Sequence, residues 1–101
     1  VIVFITDDAE EDLERIGDYI GQHNPVRAES FVEQLIERAQ SLSRMALRFS
    51  VVKRLEHRSV RRLPHKGYSI YYRVANERVE VLRILNGAQD YETILLGDDP
   101  A

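Results

Sequence analysis

The run YSIYYRV at residues 68–74, the four residues ANER at 75–78 and the run VEVLRIL at 79–85 decide the fold class. Both outer runs are rich in β-branched, aromatic and aliphatic side chains, and Asn76 with Glu77 falls where a short turn must reverse the chain. The stretch therefore predicts two antiparallel strands. Successive strand residues point to opposite faces, so Tyr68, Ile70, Tyr72 and Val74 share one face and Ser69, Tyr71 and Arg73 the other. On the return strand, strict alternation sets Val79, Val81, Arg83 and Leu85 against Glu80, Leu82 and Ile84. Large apolar groups occupy both faces of the pair, and each face needs cover.

Working back from the hairpin, residues 60–63 form a possible further strand that stops near Pro64, with a turn over 65–67, and residues from Phe49 onward read as short extended pieces. Earlier still the period changes. Ala28, Phe31, Leu35, Ala39 and Leu42 recur at helical spacing behind Asn24 and Pro25, an N-cap followed by a first helical residue that needs no donor. Ala9, Leu13, Ile16 and Ile20 mark a preceding helix that stops at 21–24, so the two form an antiparallel hairpin able to cover one sheet face. Thr6 or Asp7 caps the first helix, and Asp7 with Glu10 has capping-box spacing. Glu10, Glu11, Asp12 and Glu14 are expected on its wet side or in its first turns, where the helix dipole favours acids. Residues 1–5 read as a strand. Downstream, Gly87 breaks the return strand, residues 91–96 read as a short helix or an added strand, and 98–101 as a fraying tail. Either a partner segment or Tyr91, Ile94, Leu95 and Leu96 must cover the second sheet face.

The 101 residues, 44% apolar and 31% charged, are expected to form one soluble domain. Cysteine is absent, which excludes disulfides, thiolate metal sites and cysteine nucleophiles and fits a reducing compartment. No apolar run approaches the roughly 20 residues that span a bilayer, so no membrane partner is expected. The net charge of −3 is unevenly spread. Residues 51–66 hold Lys53, Arg54, Arg58, Arg61, Arg62 and Lys66 against Glu56 alone, a local patch for an acidic protein or a phosphate backbone.

Motifs for metal, phosphate-loop or triad chemistry are missing. His23, His57 and His65 lack metal-ligand spacing, the acids at 7–12 are accounted for by a helix start, and the serines have no base and orienter. Neither a metal nor a cofactor is expected. The arginines are less easily set aside. Arg61, Arg62, Arg73 and Arg83 suit bidentate contacts to carboxylate or phosphate, in structural or partner ion pairs, in contact with a target, or beside a tyrosine in RNA phosphotransfer.

The words DL..I..YI...NP..A..F, carried by Asp12, Leu13, Ile16, Tyr19, Ile20, Asn24, Pro25, Ala28 and Phe31, followed by YSIYYRV at 68–74 and VEVLRILNGAQDY at 79–91, resemble the ParE branch of the ParE/RelE-like toxins. The resemblance spans nearly the whole chain. It implies an α+β fold with an N-terminal strand, an antiparallel helical hairpin and a mainly antiparallel sheet. It implies a cytoplasmic toxin of a type II toxin-antitoxin system that inhibits DNA gyrase by protein contact rather than as an enzyme. A ParD-like antitoxin would neutralise it in a hetero-oligomeric complex, and would itself contact operator DNA. The alternatives carried by the same superfamily are a RelE-like ribosome-dependent mRNA endoribonuclease, and an inactive relative kept for antitoxin binding and operon control.

Under this resemblance the target-binding candidates are Arg61, Arg62, Arg73, Arg83, Asn86, Gln89 and Tyr91, and the antitoxin-binding candidates are Lys53, Arg54, Arg58, Tyr71 and Leu85. Where the family word HGARD has His and Arg, this chain has Asn86 and Gln89, while Gly87, Ala88 and Asp90 remain. A neutral amide supplies neither a cation nor ordinary acid-base chemistry, which weighs against RNA cleavage. Arg83 with Tyr91 would be the remaining pair for such a role.

Overall fold

The computed structural model describes residues 1–97; the tail expected at 98–101 lies outside the described residues. Strand β1 (Ile2–Ile5) leads into helices α1 (Asp7–Gly21) and α2 (Pro25–Met45). A 3-10 segment, Lys53–Arg58, precedes strands β2 (Arg61–His65), β3 (Tyr68–Ala75) and β4 (Arg78–Asn86), and α3 (Tyr91–Leu96) follows. The sheet order is β1-β4-β3-β2, with β1 parallel to β4 and the other neighbours antiparallel. Fold class, helical hairpin and sheet are as the sequence predicts.

Local chemistry explains the boundaries. The Thr6 hydroxyl caps α1 by accepting from the Ala9 N–H at 3.3 Å, which makes Asp7 the first helical residue and leaves the Asp7/Glu10 box unused. Asn24 caps α2 by accepting from the Arg27 N–H at 3.0 Å, with Pro25 next. Strand β2 runs through Pro64 rather than stopping before it. Arg62, two residues earlier, turns its N–H outward to the Ser50 carbonyl, so the proline's missing donor falls on the edge away from β3. The stretch expected to be extended contains the 3-10 segment, closed by Ser59 at φ 55°. Residues 91–96 resolve as a helix, capped by Asp90.

Both helices pack on one sheet face. Leu13, Ile16, Phe31, Leu35, Ala39 and Leu42 meet Leu63, Ile70, Tyr72, Val79, Val81 and Ile84 in the main core. Tyr72 keeps its polar tip satisfied by donating to the Ala46 carbonyl at 2.7 Å. The opposite face carries a smaller cluster of Leu55, Val60, Tyr71 and Leu85, against which Leu82, Tyr91, Ile94, Leu95 and Leu96 pack. The chain's own 3-10 segment and α3 thus supply cover for that face.

Strict alternation fails on β4. The register passes from Tyr71 opposite Arg83 to Tyr72 opposite Val81, so Leu82 is an extra residue and the strand bulges. Beyond it Ile84 joins Val79 and Val81 in the helix-side core, while Leu85 belongs with Leu82 in the other cluster, the reverse of the predicted grouping.

The bulge lies where β1 ends. Thr6 donates its backbone N–H to the Val81 carbonyl at 3.2 Å and its hydroxyl to the same oxygen at 2.8 Å. The next exposed edge of β4 is then completed by a side chain. Asp12, expected on the wet side of α1, is fully buried and accepts the Ile84 backbone N–H at 2.8 Å. It also accepts Arg83 Nε and an Arg83 terminal amine, each at 2.8 Å, and Arg15 at 2.8 Å. Burial alone would raise its pKa; the bonds from Arg83, the Ile84 N–H and Arg15 outweigh that and hold it below the usual carboxylate value.

Asp12→Asn leaves Arg83 without its charged acceptor and should cost about 3 kcal/mol in urea unfolding, whereas a loss below about 1 kcal/mol would place the pair with ordinary surface bridges. Because the folded pKa of Asp12 lies below its unfolded value, its stabilisation is full above the unfolded pKa and disappears as pH falls through the folded one; the variant's acid limb should be correspondingly flatter. At the β3–β4 turn, Asn76 and Glu77 have φ of 53° and 61°. Glu77→Gly removes a Cβ from the left-handed position and should raise the unfolding free energy by about 0.5 kcal/mol, read from the same denaturation curves.

Candidate functional site

The cations of residues 51–66 do not form one uniform patch. Lys53 and Arg62 line an open cleft of about 430 Å³ with Phe49, Val52, Pro64 and Tyr91. Tyr91 stacks on Tyr71, ring centroids 5.4 Å apart and planes 17° apart, which joins the cleft to the apolar cluster containing Leu85. Burial, the largest influence, pushes the Tyr71 phenol above its ordinary pKa, with the Arg62 charge opposing it. Arg54 stands 3.6 Å from Glu92 at the start of α3. The antitoxin candidates Lys53 and Arg54 therefore lie on the side of the sheet that carries the target candidates Arg62 and Tyr91, while Tyr71 and Leu85 are buried in the cluster beneath.

Across α3, Arg58, Arg73 and Arg83 line a second cleft of about 280 Å³. Arg73 and Arg83 are already committed to carboxylates. Arg73 pairs with Glu80 at 2.8 Å, as Arg78 does at 2.6 Å, and these bonds hold the Glu80 pKa below its ordinary value. Arg83 is held by Asp12, which places its pKa above the ordinary guanidinium value. Arg61 points to the helix side of β2, where it donates to the Phe49 carbonyl at 2.6 Å.

Asn86, the last residue of β4, and Gln89, on the turn after it, stand apart from the cationic surface. The Asn86 side-chain oxygen accepts from the Ala88 N–H and that of Gln89 from the Asn86 N–H, both at 2.9 Å. They line a third cleft, between α1 and the sheet.

Sequence reasoning missed Asp12, although its position three residues after Ala9 and four before Ile16 placed it in phase with the apolar stripe. It also passed over the surroundings of His65. The His65 ring lies 5.8 Å from Phe31, and burial first, then Arg38, Lys66 and Arg27, lowers its pKa. Among the described residues no group of three or more His, Asp or Glu could hold a metal ion, and no helix is long and apolar enough to cross a membrane.

Chemically, the outer sheet face offers Lys53 and Arg62 around an apolar, tyrosine-lined depression. It suits an extended or helical acidic segment better than a small molecule, because charge and apolar area lie side by side on an open surface.

No curated protein matches the chain significantly. Among solved structures, a chain of the chromosomal ParDE toxin-antitoxin system from P. aeruginosa superposes with a TM-score of 0.71 at 25% identity, covering 85% of this chain and 95% of that one. A chain of the RelBE2 toxin-antitoxin complex from Mycobacterium tuberculosis shares the fold, with a TM-score of 0.61 at 24% identity over 84% of this chain and 95% of that one. The family described as the ParE toxin of the type II toxin-antitoxin system parDE matches residues 3–91, and so the chain belongs to the ParE toxin family, within the ParE/RelE superfamily.

Proposed function

We propose that this chain, as one toxin domain of 101 residues in the cytoplasm, inhibits DNA gyrase by protein contact and is neutralised by a ParD-like antitoxin. The observation that carries the choice of inhibitor over nuclease is the state of Arg83. Its guanidinium donates twice to buried Asp12 at 2.8 Å, so its charge is already matched and only its remaining N–H groups, on a side chain 21% exposed, could face a phosphate transition state. Asn86 and Gln89 add no cation. A gyrase inhibitor needs a surface, and none of these commitments prevents one. ATP and magnesium belong to the gyrase reaction, and no cofactor is assigned to the toxin.

The antitoxin reading rests on the outer face. An acidic, amphipathic tail that folds on binding would set its carboxylates against Lys53 and Arg62 and its apolar side chains beside Tyr91 and α3, in a hetero-oligomer whose DNA-binding part is the antitoxin. One arrangement supports the RelE-like alternative: Lys53, Arg62 and Tyr91 line the same cleft, two cations with a phenol.

Purified toxin added to the host gyrase should inhibit ATP-dependent supercoiling and accumulate cleaved DNA, with both effects reversed by the antitoxin. Intact supercoiling together with cleavage of ribosome-bound mRNA would replace this reading with the nuclease. Lys53→Glu should weaken antitoxin binding by about tenfold at low salt and by less at high salt, measured by calorimetric titration; a salt-independent affinity would remove the charge-matching argument.

A further inference from the structure

The cleft between α1 and the sheet is unlike the two cationic ones. It holds about 320 Å³, room for one or two side chains, over a floor of Ile16, Ile84 and the Tyr68 ring. Arg15, Tyr19, Asn86 and Gln89 form its rim.

That rim is short of acceptors and rich in donors. Each amide oxygen is occupied by a backbone N–H, Asn86 Oδ1 by Ala88 and Gln89 Oε1 by Asn86, so what either amide has left to offer is its NH2 group. Arg15 spends one terminal amine on Asp12 and keeps the rest of a guanidinium whose side chain is 58% exposed. Arg83, 21% exposed, is bonded to the same carboxylate and also feels Asp8 and Glu11, so Arg15 is the cation left to face the cleft. Burial, with a smaller contribution from neighbouring Tyr19, raises the pKa of the Tyr68 phenol, which stays a protonated donor at neutral pH.

We propose that this cleft seats an acidic loop of the toxin's target protein, one carboxylate meeting Arg15 and the two amides while an adjacent aliphatic or aromatic side chain lies on the Ile16–Ile84 floor. The inference rests on the gyrase reading and names the contact by which the target is gripped. A target loop fits better here than the antitoxin tail. A single lining cation beside amide donors matches one carboxylate, whereas a multiply acidic tail is matched by Lys53 and Arg62 on the opposite sheet face. The toxin would then present separate surfaces to its two partners.

The test uses Asn86→Asp with Gln89→Glu in the full chain, compared with wild type for gyrase inhibition and antitoxin affinity. Both substitutions preserve the oxygen that accepts the turn's N–H and replace the donor with negative charge. Inhibition should need about tenfold more of the double variant, with antitoxin affinity unchanged. Tyr19→Glu, at a rim position 67% exposed, should act in the same direction. Wild-type protein inert on gyrase overturns the functional reading and this inference together. Active wild type with equally potent rim variants overturns the inference alone, as does a loss confined to antitoxin binding, which would assign the cleft to the antitoxin.

Discussion

Asp12 is the constraint on which the arrangement of this molecule depends. Strand β1 is four residues long and stops beside Val81, which leaves the rest of β4 with an open edge exactly where the first helix must begin. A buried carboxylate from α1 takes the Ile84 N–H and two guanidiniums, and so fixes the helix to the sheet by direction as well as by apolar contact. Its energetic character differs from that of the Arg73–Glu80–Arg78 set. Those arginines are nearly half exposed, and such pairs contribute about 0–1 kcal/mol, whereas removing one partner of a buried pair costs about 3–5 kcal/mol.

The same carboxylate shapes the functional surface. By holding Arg83 it balances the charge of the cation nearest the β4 bulge, and by sharing itself with Arg15 it holds a cation at the mouth of the α1 cleft. The bulge has a matching effect on packing. It turns Leu82 and Leu85 toward α3 while Ile84 stays with the main core, so both faces of a four-stranded sheet are closed within 97 described residues. Among the clefts left at the surface are a cationic one lined by Tyr91 on one side and a donor-lined one on the other.

Much of this was legible in the sequence because it depends on neighbours along the chain. Asn76 and Glu77 reverse the hairpin, Asn24 and Pro25 start α2, and the apolar stripes of both helices lie on the core as their spacing requires. The features that escaped depend on contacts between distant segments. Asp12 resembles the other acids of a helix start until the edge of β4, more than 70 residues away, supplies its donor. The Leu82 bulge lies beside the end of β1, and strand alternation does not encode it. The committed state of Arg73 and Arg83 likewise appears only when their carboxylates are brought beside them. As candidate site residues, Lys53, Arg62 and Tyr91 were legible as types, and only the fold shows that they line one cleft while Asn86 and Gln89 line another.

Backbone hydrogen exchange at Ile84 tests the central claim most directly. If Asp12 completes the β4 edge, the Ile84 amide exchanges only on global unfolding, as slowly as the slowest amides of the sheet interior. Exchange at the rate of an open strand edge, while those interior amides stay protected, would contradict the account, because the carboxylate would then not be holding helix to sheet.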